Sequence, residues 1–156
     1  MTCMGLLVEV HLQGHCKYLE ERVLPALDVL PVLAELGLRF VTFKDLGIPR
    51  DIKDRDLWTL SQDQGWVLFT EDRNKQDPDS LEQTLRDSWT PGDFPVLTLA
   101  SKSRLEHDRA YAEEVGNDLA TFLFNIACGK FHDQPRLWVP KTGLLEAGRA
   151  QAIAAL

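Results

Sequence analysis

At 156 residues, with 44% hydrophobic and 26% charged side chains, the chain has the make-up of an ordinary globular domain that can bury a core, which excludes disorder as its default state. A formal net charge of −7 excludes a protein that grips nucleic acid over its whole surface and leaves room only for a local basic rim. Neither an apolar run near the roughly 18 residues of a membrane span nor a secretory signal at Met1 to Val10 is evident, so no membrane association is expected and the expected compartment is the cytoplasm.

The first predicted strand is Leu6 to Val10, a short apolar run of the kind buried on both sides. Apolar residues then recur at helical intervals from Tyr18 to Leu36, where Pro25 and Pro31 predict a kinked helix or two short ones and Gly37 a stop. Leu38 to Phe43, rich in β-branched and aromatic residues, reads as the second strand, followed by a polar turn from Lys44 to Lys53. Asp54 can cap a helix reaching Gln64, closed by Gly65, with Leu57, Trp58 and Leu60 inward; Trp66 to Thr70 is then a third strand. Ser80 and Gln83 have the form of a capping box for a helix through about Asp87. Pro95 to Ala100 reads as the fourth strand, Glu106 to Ala127 as a long amphipathic helix, and Arg136 to Val139 as a last strand. The Ala-rich tail, Leu144 to Leu156, reads as a further helix that packs on the body or on a second copy, which makes a homo-oligomer the expected state.

Strands alternating with helices predict a three-layer α/β/α sandwich with a mostly parallel sheet of four to five strands and right-handed crossovers. The expected division is one domain over 1–143 and a helical tail over 144–156. In such sheets ligands bind beyond the carboxyl ends of the strands. Those ends deliver Glu9 and His11, then Lys44 and Asp45, then Thr70, Glu71, Asp72 and Asn74, while Asp54 and Asp56 begin the intervening helix at the same edge. Gathered carboxylates repel unless a cation lies between them or some are protonated. A hard-oxygen set without cysteine suits Mg²⁺ or Mn²⁺. Each acid also has a structural reading: Asp54 as a helix cap, Asp45 as a turn former. Lys44, Arg50, Lys53 and Arg73, with Arg55 and Lys75, flank the acids and could hold phosphates, or could simply balance their neighbours on a solvated surface.

The stretch from Gly37 to Asp72 reads G-L-R-F-V-T-F-K-D-L-G, then D-R-D-L-W, then G-W-V-L-F-T-E-D. In order and spacing it resembles the PIN-like nuclease domains related to VapC toxins, in a short branch whose pattern is L-L-x-D-E-N-L, R-D-L-G, D-x-E-I and V-L-V-T-x-D-x-D-F. The resemblance implies a PIN-like sandwich and a Mg²⁺- or Mn²⁺-dependent endoribonuclease, with RNA as substrate and, where it is a toxin, an antitoxin protein as partner. By position, Asp45, Asp54 or Asp56, and Asp72 match family acids. The resemblance assigns Glu9, Asp45 and Asp72 to the ion, Asp54 or Asp56 to completing the shell or orienting water, and Asn74 to support. The chain departs from the pattern at Glu9, followed by Val10 and His11, where the family opens Asp-Glu-Asn, and at Asn74 and Lys75, where it has Asp-Phe. Those departures leave a catalytically degenerate binding or assembly module as the alternative.

Other chemistries find less support. His11, His15 and Cys16 lack a nearby fourth ligand for zinc, and His11 reads as a surface or core histidine more readily than as a general base. Trp58 and Trp66 fall in apolar-periodic segments and read as core. No glycine-rich phosphate loop or nucleophile elbow is present, which sets aside dinucleotide, ATP and serine-hydrolase readings. The three cysteines, Cys3, Cys16 and Cys128, read as reduced thiols.

Overall fold

In a computed structural model, described for residues 2–71 and 80–142, five strands form one parallel sheet: β1 (Gly5–Val8), β2 (Arg39–Val41), β3 (Trp66–Glu71), β4 (Val96–Leu99) and β5 (Arg136–Val139). Their order is β2-β1-β3-β4-β5. All four residues of β1 are buried, as its unbroken apolar sequence requires of a strand covered on both faces. Register runs level across the sheet, with Gly5 opposite Arg39 and Trp66, Phe69 opposite Leu97, and Leu99 opposite Val139.

Alternating side chains divide the core in two. Leu6, Val8, Val67, Phe69, Leu97 and Leu99 pack beneath one helical layer, and Leu7, Leu68 and Val96 beneath the other. The first layer begins with an irregular helix. A 3₁₀ turn at Val10–Leu12 leads into α1 (Gln13–Tyr18), a π-helical stretch at Leu19–Val23 and α2 (Leu24–Leu27). Asp28, at φ 57°, breaks it before α3 (Leu30–Glu35). The second layer holds α4 (Phe43–Leu46), α5 (Asp54–Gln64) and α6 (Leu81–Ser88). Two later helices, α7 (Lys102–His107) and α8 (Arg109–Ala127), return to the first layer. There Gly116 of α8 lets that helix close on the π-helical stretch and α2: an added Cβ would lie 2.9 Å from Val23 Cγ1 and 3.3 Å from Leu24 Cδ2.

The sandwich agrees with the sequence reading, and the sheet has five strands, every pairing parallel. Several local expectations are corrected. The first helix starts at Val10 and not Tyr18, so His11, His15 and Cys16 are helical. Strand β2 ends at Val41 because Thr42 caps α4 and turns the chain. The long helix predicted from Glu106 is two, divided at Asp108, whose carboxylate accepts from the Tyr111 N–H and starts α8. Crossover hand also departs from expectation. The connections β1–β2, β2–β3 and β3–β4 share one hand, but β4–β5 runs rightward in the sheet like the two before it and over the opposite layer, which reverses its hand. The predicted tail, 144–156, lies outside the described residues. Among the described residues no helix is long and apolar enough to cross a membrane.

Gly5 is the tightest point of the sheet. Its φ is 138°, and a Cβ would fall 1.9 Å from the Arg39 carbonyl oxygen of β2. Gly5→Ala is expected to cost about 3 kcal/mol or more, read as a lower urea midpoint by circular dichroism; an unchanged midpoint would mean that β1 and β2 are not joined in this register. The thiols give a second check. Burial pushes the Cys3 thiol up, and burial together with the nearby Glu20 charge pushes Cys16 up further, whereas Cys128 is exposed. A thiol reagent at pH 8 should label Cys128 rapidly in the folded protein and Cys3 and Cys16 only on unfolding; rapid labelling of Cys16 in the folded state would contradict the packing of α1.

Candidate functional site

In a sheet ordered β2-β1-β3-β4-β5 the chain reverses direction between β1 and β3, and the crevice beyond their carboxyl ends is the expected ligand site. Glu9 leaves β1 at that point. Its backbone N–H still donates to the Phe69 carbonyl at 2.9 Å, which sets Glu9 level with Thr70. Thr70 is in turn level with Thr98 of β4. All three side chains are buried, and Glu9, 4% exposed, is the single buried charged residue among those described. One Glu9 oxygen accepts from the His11 N–H at 3.0 Å, and the other lies 3.0 Å from His11 Nδ1. The carboxylate thus caps the 3₁₀ turn. A buried charge costs several kcal/mol unless it is paired or hydrogen-bonded. The half-exposed His11 ring supplies one such partner, while the equally buried Thr98 hydroxyl has none among the described residues.

The second acid, Asp45, is exposed and serves α4. Its carboxylate accepts from the Thr42 N–H at 2.9 Å, and the Thr42 hydroxyl accepts from the Asp45 N–H at 3.3 Å, a reciprocal capping box. Asp54 lies one position inside α5, where Lys53 has the cap position. Its carboxylate accepts from the Leu81 N–H of α6 at 3.2 Å, tying two helix starts together. Asp56 is exposed in the first turn of α5, where a negative charge favours the helix dipole. Lys44, Arg50 and Lys53 are exposed at the same edge, but Arg55 pairs with Asp87 at 3.0 Å. Asp72, Arg73, Asn74 and Lys75 lie outside the described residues.

Of the further acids, Glu71 stands at the strand end where the sequence places it, whereas Glu20 carries no signal in the sequence alone. Glu71 ends β3 and lies 3.6 Å from Lys102 Nζ, at the start of α7. Glu20, on the π-helical stretch, has its carboxyl pushed up by burial first, then by the charges of Glu21 and Asp45. Glu9, Gln13, Cys16 and Glu20 follow helical spacing, a signal readable only once the helix is known to begin at Val10. His15 sits one turn from His11 yet bonds a different acid, with Nε2 2.7 Å from Glu106 Oε1.

Mg²⁺ or Mn²⁺ would be held by clustered carboxylates. Among the described residues no group of three His, Cys, Asp or Glu side chains comes together in a way that could hold a metal ion. They supply one buried carboxylate at the crevice, Glu9, on the same level of the sheet as Thr70 and Thr98, an oxygen ligand apt for a hard cation but not a shell. Compared with family models, curated proteins and solved structures, the chain matches none.

The capping role of Asp45 is separable from any ligand role. Without divalent ions, Asp45→Ala should lower stability by about 0.5–1 kcal/mol through loss of the box, measured by urea denaturation in EDTA. No change there, with a loss appearing only when Mg²⁺ is added, would make Asp45 a ligand in place of a cap.

Proposed function

We propose that this chain is a PIN-like, Mg²⁺- or Mn²⁺-dependent endoribonuclease whose site is the crevice beyond β1 and β3. The observation that carries the reading is the buried Glu9 carboxylate at the point where the strand order reverses. The His11 N–H and ring supply part of what its burial needs, and a hard cation would offset the rest. Asp72 and Asn74 follow β3 in sequence and are the natural completion of an oxygen set begun by Glu9; Asp45, Asp54 and Asp56 contribute negative potential at the rim. A bound ion would supply an activated water and stabilise charge on the phosphate. The protein's own part is to hold the scissile phosphate, through Lys44, Arg50, Lys53 and Arg73, and to keep water out along the Thr70 and Thr98 level. Regulation by an antitoxin-type protein and self-association belong to the same reading.

A second reading, a binding or assembly module without catalysis, is favoured by a different observation: Glu9, Asp45 and Asp54 each already accept hydrogen bonds from backbone N–H groups. Calorimetric titration of Mg²⁺ and Mn²⁺ into the wild type and Asp72→Asn separates the two. The nuclease reading expects saturable binding that the substitution abolishes and metal-dependent cleavage of RNA that falls with it. No binding at millimolar ion would overturn it in favour of the module.

A further inference from the structure

Helix α1 follows the end of β1 and α7 follows the end of β4, so both begin at the carboxyl edge of the sheet. Between them opens a cleft of about 260 Å³ lined by Gly14, His15, Tyr18, Leu105 and Glu106. It lies in the helical layer opposite α5 and α6, and neither Glu9, Asp45, Asp54 nor Asp56 lines it. Its volume falls just under the range of about 300–1,000 Å³ usual for drug-sized ligands, which suits one flat ring system.

The chemistry of the walls is specific. Leu105 is buried, and the Tyr18 hydroxyl accepts from the Arg109 guanidinium at 3.3 Å, which anchors the ring from its outer end. Gly14 contributes no side chain, and a Cβ built there meets nothing within 4 Å. His15 Nε2 lies 2.7 Å from Glu106 Oε1. An ionised carboxylate only accepts, so Nε2 carries the proton of this bond. The hydrogen bond from His15 holds the Glu106 carboxyl below its usual range, so it is ionised at neutral pH. The Glu106 carboxylate is therefore an acceptor at the edge of a largely apolar cleft, with its second oxygen 3.8 Å from His107 Nε2. An anion is repelled by Glu106, and a planar ring bearing N–H donors is matched.

We propose that this cleft binds an amino-bearing nucleobase, guanine above the others, with its ring against Tyr18 and its N1–H and 2-amino donors on Glu106. Two parallel donors suit the two oxygens of one carboxylate, whereas adenine would turn the N1 lone pair toward the same charge. The inference rests on the reading of the chain as a protein that acts on RNA, and it names the base that protein would select.

The test follows the His15 ring signals by NMR while guanosine and adenosine are titrated with EDTA present. Guanosine should shift them saturably, at least about tenfold more tightly than adenosine. Glu106→Gln should weaken guanosine by about tenfold or more, and Gly14→Leu, which adds a side chain at the cleft wall where a Cβ meets open space, should abolish its binding; circular dichroism checks that both variants fold. Equal affinity for the two nucleosides, no saturable shift, or binding that survives both substitutions would overturn the assignment. A single-stranded RNA carrying one guanosine identifies RNA as the ligand if it binds more tightly than the nucleoside, and the free nucleoside if it does not. Because EDTA is present, guanosine binding in a protein that takes up no metal would reject the nuclease and leave the base site standing. Metal binding without guanosine binding would do the reverse.

Discussion

The arrangement hangs on the close contact between β1 and β2 at Gly5, where the Arg39 carbonyl occupies the space a side chain would need. This contact sets the register of β1 on one side, and pairing of Gly5 with Trp66 sets it on the other. A slip of one residue would send Leu6 and Val8 into the layer that holds Leu7 and carry Glu9 to the other face. With register held, Glu9, Thr70 and Thr98 share one level at the crevice. The position of the candidate site is thus a consequence of backbone packing at the far end of the same strand.

Carboxylates at this edge do two kinds of work. A carboxylate that caps a helix contributes about 1 kcal/mol and remains solvated; Asp45 has that geometry, exposed and bonded within its own turn. Glu9 differs because burial raises the stake to several kcal/mol, more than one cap returns. The magnitudes, more than the residue types, separate a structural acid from a functional candidate. Asp54 is intermediate, half-buried and shared between two helices.

The two helical layers have separate chemistries at the same sheet edge. The α5/α6 layer faces Glu9 and the threonine level, whereas the α1/α7 layer carries the His15–Glu106 pair on apolar walls. The reversed crossover before β5 creates this division, because it brings α7 and α8 onto the layer of α1. Had that connection followed the hand of the others, His15 would have faced no acid from α7.

Periodicity, capping residues and glycine stops in the sequence were enough to determine a parallel α/β sandwich, because burial on both faces demands unbroken apolar strands and each helix start needs its own orphan N–H groups satisfied locally. Ser80 at the start of α6 and Gly65 at the end of α5 are such local signals, and both stand where the residues place them. Strand-end acids were legible for the same reason: they follow directly from where a strand stops. Only the tertiary structure decided which of those acids is buried, that helix formation begins at Val10, and that His15 meets Glu106. These are contacts between segments far apart in sequence, governed by register and crossover hand, and no local pattern of residues encodes them.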